Sequence, residues 1–305
     1  MSYKSFSGFL ENMINRNYIL SNSGYKSPNK LQKSDMILDI NYDYKAFYKH
    51  NTYQHTGKIY RIRIHKHREP FFCTHNQMFY TCKRKDINPN WVSAEMLDGS
   101  HFFGIPINKK SELPKFLDGT KLDDINLWFL MGYFILGGNI DNDKILFEIP
   151  NYFSYFKIRY RINIKYHDYN IYECTHTNYN DILSCLQGNI IPFWIENAPI
   201  KYIKEFINGY NSSIKNINIT ENEIHYLIHE SIQRLQNKIN NNKNFCGFLF
   251  NKITNNSSFY FLKNDYAWYQ LTSVSNTYVN KTNVCNLLVE GNQFILLNTL
   301  VKGCD

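Results

Sequence analysis

Apolar residues fall on alternate positions through the first third of the chain and again at its end, and on every third or fourth position in between. In TGKIYRIRIHKH (56–67), Ile62 and Ile64 lie on one face and Arg61, Arg63, His65 and His67 on the other, the period of a half-buried strand. FFCTHNQMFYT (71–81) predicts a strand pair around a polar turn. NPNWVSAEML (88–97) predicts a turn and a single helical turn, and FFGIPIN (102–108) a strand. Residues 18–110 therefore read as short strands, as do the last forty. In the middle, LDDINLWFLMGYFILGG (122–138) opens on acids, which suit a helix N-terminus, and closes on two Gly, which suit a C-cap. KILFEIP (144–150) and YFKIRYRINIKY (155–166) predict strands, and NYNDILSCLQ (178–187) and IKYIKEFINGYN (200–211) helices. ENEIHYLIHESIQRLQNKI (221–239) carries Ile224, Leu227, Ile228, Ile232, Leu235 and Ile239 at helical spacing; strands follow in FCGFLFNKI (245–253) and SFYFL (258–262).

Two of these helices contain Gly-Tyr inside an apolar run, at Gly132-Tyr133 and Gly209-Tyr210. A Gly in mid-helix costs about 1 kcal/mol against Ala. Its recurrence in matching places predicts two helix backbones packed in close contact.

Length and composition set bounds on this pattern. At 305 residues the chain fits two domains. With 43% hydrophobic and 20% charged residues it can build a packed core without disorder. Asn, Lys, Ile and Tyr recur throughout while Gly and Pro are scarce, the mix an A/T-rich genome encodes, as in a large DNA virus, a protist or an organelle. The formal charge of +8 suits a polyanionic partner, although Lys-rich coding raises it too. The seven Cys are scattered singly with no CxxC pair, which argues against a zinc site and against a disulfide scaffold. The N-terminal MSYKSFSGFLENMINRNY has no apolar core of signal-peptide length, and the longest apolar stretch, Leu127 to Leu136, falls far short of the ~20 residues of a membrane helix. The expectation is an intracellular protein without a membrane partner, in cytoplasm or nucleus, or in the virion if the source is viral.

The outer segments resemble the Hint fold of inteins. SNSGYKSPNKLQKSDMIL (21–38) is similar to the first intein block. FFCTHNQMFYT is similar to the block that carries the activating His, followed by the usual Trp91, Ala94 and Leu97. DYAWYQLTSV (265–274) and NVCNLLVEGNQFILLNTLVKGCD (283–305) are similar to the closing blocks. The insert resembles a LAGLIDADG homing endonuclease. LWFLMGYFILGG stands at one paired-helix motif, and IPFWIENAPIKYIKEFINGYNSS at the other, with Pro192, Trp194, Pro199, Phe206, Gly209 and Tyr210 at family spacing. The resemblance implies an α+β chain similar to intein-like proteins of large DNA viruses. A β-rich Hint domain, 1–115 plus 265–305, would be interrupted by a pseudo-twofold αββαββα domain at 116–264.

It also implies which residues should act, and most are replaced. The splice nucleophile position reads Asn12, which has neither thiol nor hydroxyl. The activating His reads Gln77, although Thr74 is kept and His75 is close by. The terminal His-Asn reads Lys302 and Gly303, and Gly has no side-chain amide to cyclise; Cys304 follows. Cleavage would need a carboxylate five residues after each motif Gly to hold divalent metal. Those positions read Gly137 and Ile214, with Ser213 beside the latter, and Asp141 and Asp143 lie beyond the helix end. The implied cofactor is none, or Mg²⁺ if cleavage survives. His225 and His229 are one helical turn apart without a third metal ligand, on a helix face expected to be solvated with Glu221 and Glu230.

A binding strand is retained. In YFKIRYRINIKY, Lys157, Arg159, Arg161, Asn163 and Lys165 alternate with apolar residues, so the polar ones share one face. In the resembled family this sheet saddles the DNA major groove, where Arg can bind guanine and Lys phosphate. The expected function is that of a pseudoenzyme, a non-cleaving, regulatory, double-stranded DNA-binding protein. The alternatives are an assembly protein that uses the scaffold for protein contacts, and an active endonuclease with displaced acids.

Overall fold

The computed structural model describes residues 17–22, 24–83, 86, 88–113, 122–142, 144–149, 164–168, 171–174, 183, 186, 191–217, 225–241, 259–291, 293–296 and 299–302. The protein is α+β and divides into a β-rich unit, Met1–Ile107 with Asn241–Asp305, and a second unit, Asn108–Asn240. Among the described residues, no helix is long and apolar enough to cross a membrane.

The β-rich unit begins with strands β1 (Ile19–Ser21), β2 (Gly24–Lys26) and β3 (Met36–Leu38). The 21-residue β4 (Tyr44–Ile64) follows, then β5 (Phe71–Thr74), β6 (Met78–Lys83), β7 (Asn90–Ser93) and β8 (His101–Pro106). Pairing runs from β8 through β6 to the last strands of the chain, and from there through β1 and β3 to β4. Inside, Phe71, Phe79 and Phe103 pack edge to face in sequence, at centroid distances of 6.4 and 5.3 Å. Ile62 and Ile64 are buried as their alternation predicts, and Arg61 and Arg63 are exposed. His67, expected on the exposed face, is instead buried, its ring 5.9 Å from those of Phe71 and Tyr269, because β4 ends at Ile64 and the alternation ends with it.

The last forty residues are not a series of short strands. After the hairpin strand β13 (Tyr260–Lys263), a single 24-residue strand, β14 (Tyr266–Val289), pairs with β4 from Leu271 to Val289; β15 (Gln293–Leu296) and β16 (Thr299–Lys302) follow. Neither long strand contains Pro, and the one Gly between them, Gly57, sits opposite Val279, where the register shifts before Thr282. Lys281, at φ 57, is one of the extra residues of this bulge, so the ribbon bends without ending. Because β14 pairs with β8 at one end and β4 at the other, the path of strands closes on itself, which satisfies ladder groups that an open sheet would leave at its edges. The segment SFYFL, placed by sequence with the insert, contributes β13 to this unit, since Tyr260–Lys263 pair with Tyr266–Tyr269.

The second unit opens on helix α1 (Ile125–Gly137), whose N-cap Asp124 accepts a hydrogen bond from the Asn126 amide at 2.9 Å. Every residue from Leu127 to Phe134 is buried, so the helix is a core element. The two closing Gly do not form the expected left-handed cap. Gly138 has φ −113 and leads straight into a strand; a Cβ there would lie 2.0 Å from the Phe134 ring, so this Gly makes room for packing. Strands β9 (Gly138–Asp141), β10 (Lys144–Glu148), β11 (Ile164–Asp168) and β12 (Ile171–Cys174) form an antiparallel sheet in the order β11–β12–β10–β9. Ile145 and Phe147 of β10 are buried, with Phe147 against Phe134 at 5.8 Å. Helices α2 (Phe193–Asn197), α3 (Ile200–Ile217) and α4 (Tyr226–Asn241) complete the described elements. Most of the helix expected at 178–187 and the whole strand expected at 245–253 lie outside the described residues.

Candidate functional site

Helices α1 and α3 cross in backbone contact. A Cβ on Gly132 would stand 1.8 Å from the Phe206 carbonyl oxygen and 2.9 Å from the Tyr210 nitrogen. A Cβ on Gly209 would stand 2.0 Å from the Phe129 oxygen and 2.9 Å from the Tyr133 nitrogen. The two contacts are reciprocal: each Gly stands over the turn that contains the other. Only Gly permits this approach, and a local two-fold relation between the contacts follows from it. The reason for the repeated Gly-Tyr is therefore the crossing itself.

The two positions where the resemblance would put carboxylates are not equivalent in this frame. Gly137 is the last residue of α1 and is buried. Ile214 lies inside α3, which runs on to Ile217, and is half-buried against the apolar core. Its neighbour Ser213 is buried, and its hydroxyl donates to the Tyr210 carbonyl at 2.7 Å. Asp141 is exposed at the end of β9, beyond the helix, and Asp143 lies outside the described residues.

Of the expected binding residues, Lys157, Arg159, Arg161 and Asn163 lie outside the described residues. Lys165 falls in β11, where the register sets it opposite Glu173 of β12, which in turn stands opposite Leu146 of β10. Leu146 pairs with Asn139 of β9, and Lys144 with Asp141. The described pairings thus set a cation opposite an acid twice. Lys165 is the one expected binding residue among the described ones, and its cross-strand neighbour and that of Lys144 are acids that a single-strand pattern does not contain.

Gln77, Thr74, His75 and Lys302, four of the residues that the resemblance singles out for splicing, lie among the described residues of the β-rich unit. Gln77 closes the Thr74–Gln77 turn between β5 and β6; these two strands flank the turn but pair with other partners, β5 with β4 and β6 with β7 and β8. Gln77 is half-buried, and its side-chain amide donates to the Met78 carbonyl at 3.2 Å. Thr74 is buried with its hydroxyl on Asn76 at 2.7 Å, while His75 is exposed. Val301 of β16 pairs with Phe79 of β6, so the strand that holds Lys302 runs beside the one that begins just after Gln77. Asn12 and Gly303 lie outside the described residues. Burial pushes the Cys82 thiol up to about 12 and the Cys73 thiol upward as well, which leaves neither as a ready nucleophile.

Sequence reasoning missed a buried charged cluster in the second unit. The face of α4 expected in solvent is inside: Glu230, Ser231, Arg234, Asn237 and Lys238 are all buried. Arg234 grips Glu196 of α2 through Nε at 2.9 and 3.0 Å and through a second, shorter bond, and also donates to the Ser231 hydroxyl at 3.1 Å. Lys238 donates to the carbonyls of Glu196 at 2.7 Å and Ala198 at 3.1 Å, and to that of Lys110. It thereby caps the C-terminal end of α2. Burial pushes its ammonium down to about 8, against the opposing pull of Glu196. Helical periodicity finds apolar stripes and cannot tell a solvated polar face from one neutralised by a residue distant in sequence. His225, just before the same helix, stacks on Tyr226 at 4.8 Å, and burial lowers its pKa. Glu221 lies outside the described residues.

Compared with known protein families and with curated proteins, the chain matches none.

Proposed function

We propose that this chain is a non-cleaving, double-stranded DNA-binding protein, built from a Hint-like β unit and a LAGLIDADG-like helix pair. The observation that carries the reading is the reciprocal contact of Gly132 and Gly209. It is the packing such a helix pair needs, and it is kept while the positions five residues on, Gly137 and Ile214, hold no carboxylate for metal. A scaffold retained without its acids fits binding better than hydrolysis. The net charge of +8 and the run Lys157, Arg159, Arg161, Asn163, Lys165 supply the attraction to phosphate and the base-reading groups. The test is a gel shift on random duplex libraries with and without Mg²⁺. The expected result is a shifted, uncleaved duplex under both conditions. A Lys157/Arg159/Arg161/Lys165 to Ala variant should bind more weakly and with a shallower salt dependence. Binding no tighter than about 10⁻⁴ to 10⁻⁶ M, the generic non-specific range, would sink the reading.

One observation favours a second reading, an assembly protein that uses this scaffold for protein contacts. The described rows of the four-stranded sheet set Lys144 opposite Asp141 and Lys165 opposite Glu173, a mixed pattern that suits a protein partner better than a polyanion. That reading expects little affinity for DNA at physiological salt and a stable protein complex on pull-down.

A further inference from the structure

The long ribbon of β4 and β14 carries only one sign of charge. Its two strands, of 21 and 24 residues, contain none of the chain's 26 acids. They do contain Lys45, Lys49, Lys58, Arg61, Arg63 and Lys281. Lys58, Arg61, Arg63 and Lys281 are exposed, and among the described residues none of these four has a carboxylate partner. Across the ladder, Lys58 stands opposite Tyr278, Arg61 opposite Ser275 and Arg63 opposite Ser273. Both Ser are exposed, and Tyr278 is 69% exposed. Lys281 belongs to the bulge beside Gly57. At about 3.4 Å per residue, the four cations span roughly 20 Å of the ribbon. Arg61 and Arg63 share one face of β4 and Lys58 falls on the other, so cations are offered on both sides of this mid-section.

We infer that this ribbon is a second DNA contact, with Lys58, Arg61, Arg63 and Lys281 on the phosphates of a duplex. The inference rests on the DNA-binding reading but puts a contact on the other unit, on residues the resemblance does not single out. A cation without an acid partner keeps its full attraction for phosphate, and releases counterions when it binds. From Phe47 to Lys58 β4 pairs with β14 alone, and such a two-stranded antiparallel ribbon fits the major groove of B-form DNA, about 12 Å wide, whose two walls are both lined by phosphate. From Ile59 to Ile62 β5 joins the other edge of β4, so Arg61 and Arg63 would meet phosphates at the rim of the groove. The deep, narrow major groove of duplex RNA does not admit protein groups. The neutral residues Ser273, Ser275, Asn276 and Thr277, all exposed on β14, can approach a phosphate without repulsion.

The experiment measures binding of the full chain to a 30-base-pair duplex, and to one of its single strands, across a salt series. The ribbon variant is Lys58/Arg61/Arg63/Lys281 to Ala. A control variant, Lys30/Lys33/Lys201/Lys204 to Ala, removes equal charge from exposed positions elsewhere. The sheet variant at Lys157, Arg159, Arg161 and Lys165 is run beside them, and circular dichroism checks the fold of each. The expected result is a loss of duplex affinity of about tenfold or more for the ribbon variant, a salt slope lower by about three to four units, and a much smaller change for the control. An Arg61→Gln/Arg63→Gln variant, milder to the fold, should lower the slope by about two. Equal losses in ribbon and control variants would overturn the inference, as would single strands binding as tightly as duplex. A loss confined to the sheet variant would overturn the ribbon and leave the DNA-binding reading standing. A parent chain that binds only at the generic non-specific level would remove both.

Discussion

At Gly132 and Gly209, one methyl group separates a packed helix pair from a clash with a carbonyl oxygen. Because each contact is with backbone, no side-chain rotation can relieve it. Gly132→Ala should therefore destabilise the second unit by about 1–3 kcal/mol or more, even though Ala is the better helix former. Gly209→Ala should do the same, and in the double variant the second change should cost less than the first, since the helices have already parted. Denaturant midpoints for the three variants check this; a stabilising Gly132→Ala would refute the crossing. The Glu196–Arg234 pair makes a contrasting case. Replacing one partner strands a buried charge and should cost about 3–5 kcal/mol, whereas Glu196→Leu/Arg234→Met together should cost less than either single change. A double-mutant cycle by urea denaturation reads the coupling. Lys238 adds a pH signature. Its folded pKa of about 8 lies below the ordinary 10.5, so between those values the unfolded chain holds a proton that the folded chain has released. Unfolding then takes up that proton, and Lys238 should make the unit more stable as pH rises from about 8 to 10.5. The difference in stability between the parent and Lys238→Met, measured across this window, should show that rise; a flat difference would place the pKa elsewhere.

Among the elements, legibility depends on whether the partner is near in sequence or far. Helix α1 is readable because its whole run is apolar and its N-terminal acids supply the cap Asp124. The repeated Gly-Tyr announces a helix contact because Gly is disfavoured there without such a reason. The lengths of β4 and β14 are not readable. Their largely exposed stretches, such as Thr272 to Tyr278, lack the sustained alternation of a strand with one buried face, since residues on both faces of that stretch are exposed. The buried face of α4 is unreadable because Glu196, which neutralises Arg234, is 38 residues away in the chain. Of the candidate site, the residue types at the positions the resemblance singles out are legible at once. Their cross-strand neighbours are not, because Glu173 comes opposite Lys165 in a strand register that no single-strand pattern contains.

For the molecule as a whole, the β-rich unit brings together segments from opposite ends of the sequence. Asn17 holds Phe72 by two hydrogen bonds, at 2.5 and 3.2 Å, and Ile19 of β1 pairs with Leu296 of β15. Val301 pairs with Phe79, two residues past Gln77. Strands from both ends of the sequence thus flank the Thr74–Gln77 turn, and the proposed Hint-like reading raises the question whether the chain processes itself. The side chains answer it. Asn12 offers no thiol or hydroxyl to attack the preceding carbonyl; Gln77 cannot donate and recover a proton as imidazole can; Gly303 has no side-chain amide to close on its own backbone. Placed between two foreign domains, the chain should remain one uncleaved polypeptide, with neither ligated flanks nor released ends. Mass spectrometry after prolonged incubation, with and without added thiol, checks this. Ligated flanks would show that a group other than these three supplies the chemistry, whereas release of the C-terminal flank alone would point to Cys304 or Lys302.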